Sequence, residues 1–442
     1  MSIAIVAAPG SGAGKTTVTL GLLRAMRRRG VPVRSAKIGP DYIDPRFHEA
    51  ATGRPCPNLD PWAMPLNRLE SLMAGDGPLL IEAAMGLFDG AGLSRNGSAE
   101  HLARSFDIPI ILVVDCARAG ASVAAQVFGM VAYNPDLRFA GLILNRVGSD
   151  RHEAILRRAL SLPAPGGRLP PVIGVLRRDA ALTQPSRHLG LVQAEERDDL
   201  ETWLDTVAGR VEAGCDADAV FPPEHWTPRS LPTPGIAPLG QRIAVARDRA
   251  FAFQYPHLLD DWRRMGAEIV PFSPLADDPV PQSDAVFLPG GYPELNAGRI
   301  AANTLFMTSL RDAAQTSVIY GECGGYMVLG DGLTDAEGVR HDMAGLLRLE
   351  TSFATRKLHL GYRVLRAEGG PFTGHYTAHE FHYSTELRAE GTPLFHATDS
   401  DWTEIGAMGL QSGRVCGSYA HLIDRADHVL QTRADAHGHV TQ

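Results

Sequence analysis

The sequence predicts an α/β protein of two modules, each built around a largely parallel sheet. Three observations carry this. At 442 residues the chain is too long for one ordinary core, since a domain takes roughly 150 residues. Short apolar runs alternate with helical patterns in both halves, the rhythm of parallel strands covered by helices. A stretch with six prolines and little periodicity, "DAVFPPEHWTPRSLPTPGIAPLG", lies between them and reads as a linker. The expected modules are residues 1–217 and 241–442, joined by 218–240.

In the first module the predicted strands are Ile3–Ala8, Val31–Ile38, Leu79–Ala84, Ile108–Val114, Gly141–Leu144 and Val172–Leu176. Helical patterns between them imply a doubly wound sheet. "KTTVTLGLLRAMRRRG" places Val18, Leu22 and Met26 on one helix face, with Gly30 as the stop. Arg27, Arg28 and Arg29 close that helix, where cations suit the dipole.

"APGSGAGKTT" follows the first strand and opens this helix at Lys15. That context suits a phosphate cradle. The backbone amides of Gly10, Ser11, Gly12, Ala13 and Gly14 can approach phosphate oxygens, Lys15 adds charge, and Thr16 offers a hydroxyl to Mg²⁺, with Thr17 beside it. The strict P-loop pattern wants glycine where Pro9 stands, so this is a variant loop. A bound metal requires further oxygens. "KIGPDYIDP" carries Lys37, Asp41 and Asp44; "IEAAMGLFDG" carries Glu82 and Asp89; "LVVDCARAG" carries Asp115. All lie at carboxyl ends of predicted strands, the edge where open α/β sheets bind ligands. Asp115 reads equally as a turn residue. Asn145, in "LILNRVG", suits an adenine edge or a turn.

In the second module "RIAVAR", "AEIVPF", "DAVFLPGG" and "SVIYGECGG" read as strands with loops at their carboxyl ends, and about 340 to 420 reads as β-rich. "YGECGGYMVLG" has the pattern of a strand-to-helix elbow that presents Cys323 outward, with helix amides favouring thiolate. Gly290 and Gly291 in "LPGGYPEL" offer amides to an oxyanion, and His421 in "VCGSYAHLID" offers a base. His379 and His382 in "AHEFHYS" fall on opposite faces of an alternating strand, a poor basis for a metal site.

Composition narrows the function classes. Hydrophobic residues make 44% and charged residues 21%, with net charge −8, which argues against general nucleic-acid binding. Five scattered cysteines have neither disulfide nor zinc spacing and point to a reducing compartment. No apolar run approaches the roughly 20 residues of a membrane span, and the short first strand is no signal-peptide core. A cytoplasmic enzyme is expected.

Taken in order, "KIGPDYIDPRFH", "GRPCPNLDPW", "MGLFDG", "SRHLGL", "ARDRAFAFQY", "LPGGYPE", "GECGGYM", "HEFHYS" and "GSYAHL" span almost the whole chain. They resemble the motifs of the cobyrinic or hydrogenobyrinic acid a,c-diamide synthases, glutamine-dependent amidotransferases of corrinoid biosynthesis. The first half resembles dethiobiotin synthetase and related P-loop enzymes, the second a class I, or triad-type, glutamine amidotransferase. The resemblance implies ATP and Mg²⁺ as cofactors, with Thr16, Asp41 and Glu82 at the metal. It implies Lys37 on phosphate, Asn145 on adenine, and Asp41, Tyr42, Asp44 and Asp89 in substrate activation. Cys323 becomes the nucleophile and His421 its base. One departure stands out: amidotransferases of this class place a glutamate two residues after the histidine, where this chain has Ile423, with Asp424 one further. The implied partners are a corrinoid acid and glutamine, a homodimer is compatible with the chain, and neither nucleic acid nor membrane is expected. No residue set separates metal-free hydrogenobyrinic from cobalt-containing cobyrinic acid. The Arg- and Ala-rich, lysine-poor composition hints only at a GC-rich genome; of the two acids the metal-free one is the expectation. Competing readings are amidation of another tetrapyrrole acid, such as a nickel-sirohydrochlorin, and a MinD-like regulatory ATPase.

Overall fold

A computed structural model describes residues 1–93, 95–163, 167–182, 193–221, 226–228, 233 and 235–431. The "SRHLGL" motif lies outside the described residues. The chain divides into two compact units, Met1–Pro232 and Thr233–Gln442.

In the first unit the strands are β1 (Ile3–Ala7), β2 (Arg34–Ile38), β3 (Asn58–Leu59), β4 (Leu79–Glu82), β5 (Ile110–Asp115), β6 (Phe139–Val147) and β7 (Val172–Arg177). They form one sheet in the order β3-β2-β4-β1-β5-β6-β7, and every pairing is parallel. Helices on the crossovers cover the sheet, so β1 is buried along its whole length and reads as an unbroken apolar run. Three differences from the predicted strands have local causes. β2 begins at Arg34 rather than Val31, because Pro32 has no N–H for a ladder. β3 is two residues long, too short to leave a pattern. β6 continues past Leu144 to Val147, so Asn145 and Arg146 belong to the strand itself.

α1 (Lys15–Arg28) starts where the glycine loop ends. Val18, Leu22 and Met26 are buried, as their spacing predicts, but so are Thr19, Leu20, Leu23 and Ala25. The reason is that α1 packs between the sheet and the helices Asp44–Thr52 and Leu200–Gly214. Gly30 has φ 76°, and its N–H returns to the Arg27 carbonyl, which ends the helix. Within the 218–240 stretch, Val220 is buried and the Trp226 carbonyl accepts from the Met1 amino group at 2.8 Å. Both belong to the first unit.

In the second unit β8 (Arg242–Ala246), β9 (Glu268–Phe272), β10 (Ala285–Leu288) and β11 (Val318–Glu322) pair in parallel in the order β9-β8-β10-β11. Beyond β11 the same ten-stranded sheet continues through Val415–Ser418, Glu404–Ser412, Thr392–Asp399, His359–Ala367 and His375–His382 to Ala420–Arg425. Strand Val415–Ser418 runs parallel to β11, and the last strand pairs antiparallel with His375–His382, setting His421 opposite His379. The chain therefore leaves the sheet beside Cys323 and re-enters it one residue later, at Ala420. A four-stranded sheet of Gly332–Thr334, Arg340–Asp342, Arg348–Ser352 and Thr385–Glu390 completes the unit. The β-rich character of 340 to 420 is present as expected. No helix among the described residues is long and apolar enough to cross a membrane.

Candidate functional site

The first site lies at the carboxyl ends of β1 and β4, where successive crossovers diverge. Gly12 and Gly14 take φ values of 79° and 87°, a region open to glycine at little cost. Gly14 also needs its bare Cα: a Cβ there would stand 2.3 Å from Asn145 Nδ2. Asn145 donates from that nitrogen to the Ala13 carbonyl at 2.9 Å, and its Oδ1 accepts from the Arg146 N–H. It thus ties the loop to β6 while keeping one amide proton to offer. A cavity of about 740 Å³ runs from Gly12–Thr17 past Asn145 and Arg146 to Arg177–Leu182. The arginines on its far wall were not singled out from the sequence, because no motif marks them; they share the cavity with the loop only through the ends of β6 and β7.

Beneath the loop lies a buried charge cluster. Glu82 has no solvent exposure. Its Oε1 accepts from Thr16 Oγ1 at 2.6 Å and Lys37 Nζ at 2.9 Å, and its Oε2 lies 2.7 Å from His48 Nε2. Lys37 also donates to Asp44 Oδ2 at 2.6 Å. Burial alone would raise the Glu82 carboxyl; Lys37 and His48 instead hold it well below the usual range. Burial would lower Lys37, but Asp44 and Glu82 raise it. Lys15 reaches the Met85 carbonyl, and burial draws its ammonium below the ordinary value, against the opposing pull of Glu82.

The remaining carboxylates have structural contacts of their own. Asp41 Oδ1 accepts from the Ile43 and Asp44 amides at 2.7 and 3.1 Å, and burial beside Asp44 pushes it up to about 7. Asp89 is exposed and accepts from the Gly86 amide at 2.7 Å. Asp115 pairs with Arg146 at 2.6 Å and accepts from the Ala117 amide at 2.9 Å, which is the turn reading of that residue. Tyr42 is buried.

His48 was passed over in the sequence although it lies inside the quoted "DPRFH". Only the fold sets it on Glu82. Burial lowers its proton affinity, but the Cys56 sulfur and Glu82 raise it, to about 10 from an ordinary 6.5. A raised histidine stabilises fully below its unfolded pKa and loses that contribution as pH rises through the folded one. The depressed Glu82 contributes above its unfolded value of 4.5 and loses its share only on strong acidification. The pair therefore stabilises fully between about pH 4.5 and 6.5 and fades toward pH 10. His48→Gln is expected to cost most stability in that window, with the deficit shrinking as pH rises. Urea unfolding of both chains across pH measures this, and a pH-independent deficit would contradict it.

The second site lies at the carboxyl ends of β10 and β11. Cys323 caps the short helix Gly324–Leu329 with φ 47° and ψ −104°, a strained position of the kind that clusters at functional sites. The elbow closes only on glycines: a Cβ on Gly325 would lie 1.9 Å from the Leu288 carbonyl oxygen. A Cβ on Gly290 would meet His421 Nε2 at 3.0 Å and Cys323 Cβ at 3.1 Å, so loop, thiol and imidazole converge. A Cβ on Gly324 would stand 3.1 Å from the Gly291 amide nitrogen, which brings the two glycine loops together beside the thiol.

Two expectations are corrected here. The thiol is not presented outward: Cys323 is 3% exposed, and its Sγ lies 3.8 Å from the Phe381 carbonyl on the strand above it. Nor does the surrounding structure favour the thiolate. Burial, with Glu294, Glu322 and Glu380 nearby, pushes it far above the ordinary thiol value, against a small opposing effect of the Gly324 amide. A six-residue helix contributes too little dipole to outweigh desolvation. Burial, with His379 and His382 nearby, likewise holds His421 down at about 3. Both shifts favour the neutral forms of thiol and imidazole.

"HEFHYS" brings together a different trio from His379 and His382. His359, Glu380 and His382 offer ligand atoms within 4.8 Å of one another. Arg363 and His382 already occupy the Glu380 oxygens. The two imidazoles stack at 4.6 Å and 4°, so their in-plane lone pairs do not converge. This cluster reads as a support for the strand over Cys323.

A phosphate-type glycine loop in one unit and a cysteine–histidine elbow in the other define a two-centre class of α/β enzyme. Residues 4–192 match the CobQ/CobB/MinD/ParA nucleotide binding domain, and residues 242–428 match the CobB/CobQ-like glutamine amidotransferase domain. Hydrogenobyrinate a,c-diamide synthase from a Sinorhizobium species is 53% identical, covering 96% of this chain and 99% of its own. Those of Brucella anthropi and Rhizobium meliloti are 53% and 54% identical, each over 95% of this chain and 98% of their own. The chain belongs to the hydrogenobyrinate a,c-diamide synthase family.

Proposed function

We propose that this chain uses ATP and glutamine to amidate the a and c side-chain carboxylates of hydrogenobyrinic acid, as the names of its relatives suggest, with cobyrinic acid as the alternative substrate. The observation that carries the reading is the pairing of Thr16, Lys37 and Glu82 under a phosphate loop with Cys323, His421 and Gly290 in the same chain.

A carboxylate is a poor acyl donor, because its charge repels nucleophiles and oxide cannot leave. Transfer of the ATP γ-phosphoryl gives an acyl phosphate whose leaving group is phosphate. Lys15 would exchange the Met85 carbonyl for phosphate oxygens, and Lys37 would add a second cation. The hard oxygen donors Thr16 and Glu82 suit Mg²⁺ in type and lie 2.6 Å apart; Lys37 already shares that Glu82 oxygen and would have to yield it. When bound, the ion would neutralise phosphate charge. Asp41, Asp44 and Asp89 would position substrate, and Asn145 the adenine.

Ammonia must attack the acyl phosphate, and free ammonia at neutral pH is mostly ammonium, without a lone pair. At Cys323, sulfur would attack the glutamine side-chain carbonyl as its proton passes to His421; the leaving amine would take that proton and depart as ammonia. Water, activated by the same imidazole, would then release glutamate from the thioester.

With ¹⁸O in the substrate carboxylates, label should appear in inorganic phosphate, one oxygen for each amide formed. Unlabelled phosphate from a turning-over enzyme would rule out the acyl phosphate. Running hydrogenobyrinic and cobyrinic acids side by side in that assay decides between the two substrates.

A further inference from the structure

We propose that Glu322, the residue immediately before the nucleophile, holds His421 in the tautomer that can accept the Cys323 proton. It would fill the role left open by Ile423. The inference rests on the reading of Cys323 and His421 as the glutamine-hydrolysing pair.

The geometry is specific. Glu322 is 1% exposed at the end of β11. Its Oε1 accepts from Tyr320 Oη at 2.9 Å and from the Leu422 amide at 3.0 Å. Both donors are neutral, and the second belongs to the residue that follows His421. The carboxylate is thereby pinned to the strand that carries the base. Its Oε2 then stands 3.7 Å from His421 Nδ1. The other ring nitrogen, Nε2, is the one near Gly290, against which Cys323 Cβ also packs. The imidazole thus turns Nδ1 toward a carboxylate, while its Cε1–Nε2 edge lies on the Gly290 loop, which Cys323 Cβ also borders. Asp424, the acid nearest in sequence to the histidine, uses its Oδ1 on the Arg425 amide. Among the described residues, Tyr255 also meets the ring, edge-on at 6.4 Å between centroids, and His379 faces it across the strand pair.

This arrangement decides which nitrogen carries the proton. With Nδ1–H donated to Glu322, Nε2 keeps its lone pair. It takes the thiol proton as the S–C bond forms, and the imidazolium so created lies beside a carboxylate. Nε2–H then passes to the departing nitrogen as the C–N bond breaks, which restores the neutral ring. The 3.7 Å gap must shorten by about 0.8 Å, in keeping with catalytic hydrogen bonds that tighten only in the complex. Burial pushes the Glu322 carboxyl up to about 8 and His421 down to about 3. Either charge alone is costly here, and forming the two together reduces that cost.

Two measurements test the assignment. In the full-length chain with ¹⁵N-labelled histidine, at about pH 8, His421 should show the Nδ1–H tautomer. Loss of the resonance in His421→Asn assigns it. An Nε2–H tautomer would mean that Nδ1 accepts from a protonated Glu322, and the proposal would fall. Glu322→Gln keeps an acceptor for Tyr320 and Leu422 but turns an amide donor toward Nδ1, which selects the wrong tautomer. Its glutaminase kcat should fall about 100-fold, with the glutamine KM within about twofold of the parent. A kcat within about threefold of the parent would equally overturn the proposal. Should this variant melt well below the parent, the parent tautomer alone decides. Failure here stays separate from failure of the underlying reading: full glutamine use by Cys323→Ala would sink that reading, whereas an inactive Cys323→Ala with an active Glu322→Gln sinks only this inference.

Discussion

Cys323→Ala is expected to lose glutamine-dependent synthesis by at least about 10³-fold, while synthesis from added ammonium continues. The loss is large because, in the proposed mechanism, the thiol forms the covalent intermediate and supplies the proton that His421 takes up. Retention with ammonium follows from the separation of tasks: the phosphate loop, Lys37 and Glu82 belong to the first unit. The substitution itself is mild. The sulfur is small and sits within the apolar cluster of the second unit, so its removal leaves a void of less than one methyl group plus one sulfur contact. Paired assays of ammonia release and of amide formation, the latter at a pH where free ammonia is abundant, decide the matter. Unchanged ammonia release from glutamine would remove Cys323 from the mechanism. Loss of both nitrogen sources would mean that the thiol serves the synthetase as well.

Lys37→Met is expected to have the second-largest effect, and of a different kind. Lys37 is 4% exposed and lies between Asp44 and Glu82 at 2.6 and 2.9 Å. Methionine fills much of the volume but leaves a wholly buried carboxylate whose remaining ion-pair contact is His48, with the Lys15 ammonium acting on it without an ion-pair contact. Breaking one side of a buried ion pair typically costs about 3–5 kcal/mol, and His48 offsets some of that, so about 3 kcal/mol is the expected loss. Synthesis should fall about 10³-fold with either nitrogen source, because the phosphate loses a cation and Glu82 is released from its set position. Glutamine hydrolysis by the second unit should survive. Chemical unfolding, together with both nitrogen-source assays, checks this. A variant as stable as the parent, or one that loses only glutamine-dependent synthesis, would contradict the description of the cluster.

How much of these sites the sequence discloses depends on how local their physics is. The phosphate loop is legible because strand, glycines, lysine and helix are contiguous, and Gly12 and Gly14 do adopt the left-handed conformations that call for glycine. The elbow at Cys323 is legible for the same reason. Lys37 and Glu82 could be singled out as strand-end polar residues. That they share one oxygen with Thr16, and that His48 takes the other, required neighbouring parallel strands to stack in register, Lys37 beside Glu82. Glu322 lay unremarked beside the cysteine, since nothing in "GEC" tells which way a carboxylate turns.

Local chemistry written in the chain thus determined the α/β rhythm, the loop, the elbow and the ordered motifs of the family, because backbone preferences and short hydrogen-bonded turns act over a few residues. The protonation states were decided only by tertiary structure. A helix N-terminus beside Cys323 suggests thiolate, yet burial, in which the strand His375–His382 takes part, and the surrounding carboxylates push the thiol above its ordinary value. Desolvation depends on everything packed around a group, and chain segments a hundred residues apart, such as Glu322 and Leu422, meet only when the sheet closes.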